Sequence, residues 1–254
     1  MKQLGMLVVV VGALIGSIAW GQQPLKAGGQ DAQPWVLHDQ NELSGVAVDL
    51  TRAISKQIGV PIEYQPMIFA DLIPAVGSGK IDVIATNMAI TPEREQKVDF
   101  SRPYYNALPE ALVVQSNDAT AYRALADLTG LPVGAQKGSI QLALLQKIGS
   151  FSEIKTYDSQ KDAWEAVASG QIRATITPGV ETRYAAKIGG LPAGARIVET
   201  YQSASPRPRA AFAVRKGNRE LLEKINAAFA TLGADGTSKS IFNKYGLDWE
   251  PPPK

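Results

Sequence analysis

Apolar positions follow two rhythms along this chain. Short apolar runs, bounded by Gly, Pro or polar clusters, read as strands at 25–28, 62–64, 81–85, 131–135, 154–157 and 172–176. Between them, apolar residues recur at helical spacing. Leu50, Ala53, Ile54 and Ile58 share one face before Gly59 and Pro61 stop the helix, and further helices read at 72–76, 140–148 and 163–168. Strand and helix alternate twice, which predicts α/β units with parallel strands and helices on the sheet faces. Two more apolar strands, "ALVVQSND" (111–118) and "AFAVRKGN" (211–218), bracket the second unit, so the chain leaves the first lobe near 105–109 and returns near 206–209. Two crossings make a hinge. The last forty residues read as helical, with Asn218 capping a helix that carries Leu221, Leu222, Ile225, Phe229 and Leu232.

A weak internal repeat supports two similar lobes. "AVGSGKI" (75–81) and "AVASGQI" (166–172) each close a helix and open a strand, and in that register Thr86 matches Thr177 and Asn87 matches Pro178.

The first twenty residues break the pattern. Lys2 precedes an apolar run from Leu4 to Trp20, and Ala19-Trp20-Gly21 offers a small-x-small site before Gln22. This predicts a cleaved secretory leader, 1–21, and a periplasmic mature protein. The run is short and rich in small residues for a membrane anchor. Removing Lys2 leaves 25 basic residues against 24 acidic ones, so charge alone gives no reason to expect a nucleic-acid partner. There is no cysteine. No metal-ligand cluster, cofactor motif or G-x-S-x-G element stands out, and the single histidine, His38, sits in the polar stretch "HDQNEL". No metal or cofactor is expected.

One local feature looks out of place. In "ATNMAITPERE" (85–95), Thr91 caps a helix start and Pro92 takes its first position, yet Arg94 lies in that first turn. A cation there opposes the helix dipole. An anion binding where dipole and guanidinium converge would resolve the conflict.

Several stretches together carry a resemblance: "GVAVDLTRAISKQIGVPIEYQP", "LIPAVGSGKIDVIATNMAITPEREQKVDFSRPYY", "VGAQKGS" and "AVRKGNRELLEKINAAFATLGADGTSKSIFNKYG". They resemble, in order and over nearly the whole mature chain, family 3 periplasmic solute-binding proteins, the receptors of polar amino-acid ABC importers; "ITPEREQKVDFSRPYY" is the most specific of them. The resemblance implies a type II periplasmic-binding-protein fold: two α/β lobes joined by two crossover strands, closing on a ligand. The expected division is lobe one at 22–108 and 208–254 and lobe two at 109–207. It implies a small carboxylate-bearing ligand, a membrane permease as partner, a monomer and no enzymatic activity.

Carried over by motif, Arg94 grips the ligand carboxylate through paired charge-assisted bonds, and Gly138-Ser139 supplies backbone N–H groups from lobe two. Phe69 matches an aromatic at the cleft edge. Three departures stand out. The strand end reads Thr86-Asn87-Met88-Ala89, with Ala89 where the family usually has a hydroxyl. The first loop has Ala32 or Gln33 at the place of a covering aromatic, with Trp35 nearby. Pro178, after Thr177, replaces the Asp that usually receives the ligand's ammonium. Either the ligand lacks an α-amine or another acid serves; Glu181 and Asp31 are the candidates. Arg173, Arg207 and Arg209 tilt the expectation slightly toward an organic acid. The alternative class is an enzyme on the same scaffold, a cyclohexadienyl dehydratase-like lyase, for which Glu181 is the one acid that could act as general acid.

Overall fold

The computed structural model describes residues 23–39, 42–203, 205, 207–249 and 251. The leader read at 1–21 lies outside them. The chain runs β1 (Leu25–Gln30), β2 (Leu37–Asp39), β3 (Glu42–Ser44), α1 (Val46–Ile58), β4 (Ile62–Met67), α2 (Leu72–Ser78), β5 (Val83–Ala89), α3 (Pro92–Glu95), β6 (Val98–Phe100) and β7 (Tyr105–Asn106). It continues through β8 (Ala111–Gln115), β9 (Pro132–Gln136), α4 (Ile140–Ile148), β10 (Glu153–Tyr157), α5 (Gln160–Ala168), β11 (Ala174–Thr177), α6 (Gly179–Lys187) and β12 (Ala195–Ile197). It closes with β13 (Arg209–Arg215), α7 (Arg219–Ala234) and α8 (Thr237–Lys244).

Two sheets result. The first has the order β4-β1-β5-β13-β6 with β7 beside β13, and the second the order β10-β9-β11-β8-β12. β1 runs parallel to β4 and β5, and β9 runs parallel to β10 and β11, as the alternation of strand and helix requires. The strands that arrive by crossover, β13 and β8, run antiparallel to their central neighbours. A β2–β3 hairpin, absent from the sequence reading, precedes α1.

Each sheet is apolar on both faces, because successive strand residues point to opposite sides. In β5, Val83 and Ala85 face a core with Trp35, Leu50, Phe212 and Phe242, while Ile84 faces one with Leu72, Val76 and Met88. In β8, Leu112 and Val114 pack with Leu128 and Leu145, while Val113 packs with Trp164 and Val167. The repeat is structural. Gly79 and Gly170 both take the left-handed conformation that ends their helices (φ 80° and 76°). Ile81 and Ile172 are both buried, and so are Thr86 and Thr177.

The chain passes between sheets twice, once between Asn106 and Ala111 and once between Ile197 and Arg209. The passages are tied together. The Ala107 amide donates to the Pro208 carbonyl (2.9 Å), and the buried Glu110 carboxylate accepts from Ser203 Oγ (2.6 Å) and Tyr201 Oη (3.1 Å). The cleft opens beside this paired hinge.

Candidate functional site

At the end of β5 the backbone turns into α3. Thr91 is extended (φ −139°) and its hydroxyl accepts from the Arg94 amide, with Pro92 starting the helix. This cap fixes where the Arg94 side chain leaves the backbone. α3 is a single turn, so its dipole adds little, and the convergence of dipole and guanidinium expected from the sequence gives way to a different cause. The guanidinium is aimed by carbonyls: Nη1 donates to Ala89 O (2.8 Å) and Nη2 to Gly138 O (3.1 Å), across the cleft. It also lies over the Phe69 ring, 5.3 Å from its centroid. Arg94 is only 8% exposed, and no carboxylate among the described residues is in ion-pair contact with it. Burial lowers its pKa to about 10, which leaves it charged at neutral pH. A buried cation held only by partial charges favours an anionic partner.

Lobe two supplies the opposite wall. Gly138 is left-handed (φ 74°), a conformation that strains any L side chain, and its α-carbon lies close to Ala70 of lobe one, which a Cβ there would touch at 3.4 Å. Ser139 caps α4 by accepting from the Leu142 amide (3.0 Å). The first-turn residues Ile140 and Gln141 line the cavity, and first-turn N–H groups have no intrahelical acceptor.

Two cavities lie side by side between the lobes and share Gln30, Phe69 and Gln136 in their walls. The inner cavity, about 40 Å³, has room for only a few waters, so the lobes must part to admit a solute. The outer chamber is about 810 Å³. Asp31, Asp158 and Asp162 line it against Lys161 and His38.

Of the residues expected at the site, Phe69, Asn87, Ala89, Arg94, Ser139, Pro178 and Glu181 line the inner cavity, and Gln33 lines the outer chamber. Gly138 contributes its carbonyl. Three others do not line either cavity. Trp35 is fully buried in the first lobe's core, edge-on to Tyr105 (5.8 Å) and Phe242 (6.2 Å). Thr86 is fully buried behind Asn87, and Thr177 is fully buried against Trp164 and Thr182. Strand alternation turns both threonines away from the cavity. The arginines that tilted the ligand toward an organic acid are also elsewhere: Arg173 is paired with Asp118 (3.0 Å) and Tyr122, and neither Arg207 nor Arg209 lines the cavity. Gln30, Gln136, Leu108 and Pro208 line it unforeseen. The last two come from the crossover passages, whose pairing no local pattern signals.

Glu181 is the main finding. The Pro178-Gly179 pair reads as a loop, yet Gly179 opens α6. Glu181 therefore sits in the first helical turn and is 1% exposed. Its Oε1 accepts from Asn87 Nδ2 across the cleft (2.7 Å), while Oε2 has no partner. Burial pushes its pKa up. Asp31, the other candidate acid, is exposed and pairs with His38 (2.8 Å) at the mouth.

The chain and its fold have counterparts among known proteins. The family model for bacterial extracellular solute-binding proteins, family 3, matches residues 25–248. The chain belongs to this family. Among the relatives of this family 3 protein, the ABC transporter arginine-binding protein 1 of Escherichia coli strain K12 is 31% identical over 216 residues, covering 81% of this chain and 82% of the relative. Among solved structures, an ancestral arginine-binding protein bound to arginine superposes with a TM-score of 0.79 at 36% identity, covering 89% of this chain and 99% of the other. An ancestral amino acid-binding protein, a precursor of cyclohexadienyl dehydratase, gives 0.76 at 29% identity, covering 87% and 95%. The architecture is that of type II periplasmic binding proteins.

Proposed function

We propose that this family 3 receptor captures a small carboxylate-bearing solute, an amino acid or related organic acid, between its lobes and delivers it to the membrane permease of an ABC importer. The observation that carries the carboxylate is Arg94, buried, charged and without an acidic partner among the described residues. A ligand carboxylate accepting from the guanidinium and from the α4 first turn would contact both lobes at once. Such a ligand favours closure, because only the closed state offers both sets of donors. The outer chamber supports a polar or cationic tail, since three carboxylates there oppose one lysine and one histidine. The arginine-binding relatives point the same way.

A thermal-shift screen tests this reading. L-arginine, L-lysine, L-glutamine, L-glutamate and amine-free carboxylates are compared at equal concentration. A cationic amino acid is expected to raise the unfolding midpoint most, because a solute that binds only the folded state stabilises it. A preference for apolar amines lacking a carboxylate would contradict the assignment of Arg94.

No helix among the described residues is long and apolar enough to cross a membrane. We place the mature protein in the periplasm as a monomer with the leader removed. The first residue of the secreted protein is expected near Gln22 by N-terminal sequencing, and retention of Met1 in a membrane fraction would contradict cleavage.

One observation favours a second reading. A buried carboxyl with a raised pKa, beside a carboxylate anchor, is also the arrangement a lyase uses as general acid. The binding relatives weigh against it, and the lyase precursor above is itself described as an amino acid-binding protein. Chromatography separates the two: a receptor returns its solute unchanged after prolonged incubation, whereas a lyase consumes a cyclohexadienyl hydroxy acid.

A further inference from the structure

We propose that Glu181 is the receptor for the ligand's α-ammonium and that it exchanges a proton for it: neutral in the empty site, ionised when the ammonium is bound. This rests on the amino-acid reading above and extends it to how the amine is recognised. The place where the family's acid would stand, directly after β11, is Pro178, which has no polar side chain. Glu181 lies one turn further, on α6, and reaches the same cavity as Arg94. Its carboxyl is enclosed, with one oxygen held by Asn87 and the other unpartnered. Trp35 and Gln160 lie close enough to hold down part of the rise that burial causes, although Glu181 Oε2, Trp35 Nε1 and Gln160 Oε1 all fall short of hydrogen-bond geometry.

The groups facing Glu181 from each side offer no compensating cation in contact. From β7 and the residue before it come Tyr105 and Tyr104, both with pKa values raised by burial and therefore neutral. From the first loop comes Trp35, from β5 Asn87, and from α5 Gln160. Arg94 lines the same cavity but makes no ion pair with Glu181, and α6's own Arg183 is exposed and turned to Glu199. An ionised carboxylate sealed among these neutral groups is costly, so burial shifts the ligand-free carboxyl toward its protonated form. An entering ammonium supplies the missing cation. The carboxyl O–H then breaks, its electron pair stays on the carboxylate facing N–H of the ammonium, and the proton leaves to solvent. Below the empty-site pKa, ligand binding must release this proton, so affinity falls as pH falls. Well above that pKa the carboxylate is already ionised and the dependence vanishes.

The experiment is isothermal calorimetry with L-arginine, L-glutamine and the amine-free analogue δ-guanidinovalerate, across several pH values and in two buffers of different ionisation enthalpy. For a bound amino acid, the expected result is a buffer-dependent heat that reports proton release at low pH and fades at high pH. The amine-free analogue releases none. Glu181→Gln, nearly isosteric, is expected to abolish the release and to weaken amino-acid binding about tenfold or more, on the scale of one pKa unit, while the analogue binds as before. Unfolding of the ligand-free protein supplies an independent check. A carboxyl whose folded pKa is raised adds stability while protonated and loses it as pH rises through the folded value. The wild type should therefore lose stability over that window relative to Glu181→Gln. Amino-acid binding with no buffer dependence would overturn the proton exchange, and binding unchanged in Glu181→Gln would overturn Glu181 as the ammonium receptor; neither result touches the carboxylate reading. Failure of all three carboxylates to bind would overturn the carboxylate reading with it.

Discussion

Replacing Arg94 by alanine is expected to lower ligand affinity by about 2–5 kcal/mol, the range for truncating one partner of a buried charge pair, which is roughly thirtyfold to several thousandfold in Kd. The fold should survive, because the side chain's described hydrogen bonds end on only two carbonyls, Ala89 and Gly138. Both losses act on the cleft: the anion's main partner disappears, and so does the Arg94–Gly138 bond that links the lobes. Arg94→Lys should also bind weakly. An ammonium keeps the charge but not the planar fork that serves the two carbonyls and a carboxylate together. Calorimetry on the folded variants decides. Near-wild-type affinity in the alanine variant would show that the carboxylate binds elsewhere.

Trp35→Ala should act on stability instead, by about 3–5 kcal/mol, the cost of emptying a buried aromatic site. The ring is fully buried and meets Tyr105 and Phe242 edge-on, so its loss leaves a cavity those rings cannot collapse into. Trp35→Phe should recover part of that loss. Chemical denaturation with the midpoint and slope both recorded provides the measurement. Unchanged stability with a large loss of affinity would instead place Trp35 against the ligand.

Trp35 also shows where sequence and structure part. "QDAQPW" places an aromatic beside a loop, and nothing local says that the β2–β3 hairpin and α1 fold the indole inward. Elements with a strong period or a clear cap were legible: α4 with Ser139, α7 with Asn218, and the repeat's two glycine stops. Arg94 was legible because a cation in a first turn contradicts local electrostatics, although the explanation is carbonyl aim and burial rather than a dipole. Glu181 was visible as a candidate ligand-binding acid, but its burial was not. Pro178-Gly179 punctuates like a loop, and only the tertiary position of α6 turns the acid inward. The cavity's crossover residues, Leu108 and Pro208, depend on a pairing between segments a hundred residues apart, which a single sequence does not display.

The most direct test of the central claim is a crystal structure of the protein soaked or co-crystallised with the amino acid that stabilises it most. The account predicts one solute between the lobes, its carboxylate paired with the Arg94 guanidinium and facing Ser139 and the start of α4, its tail toward the outer chamber, with both lobes in contact. A solute seated with its carboxylate away from Arg94, or held by one lobe only, would contradict it.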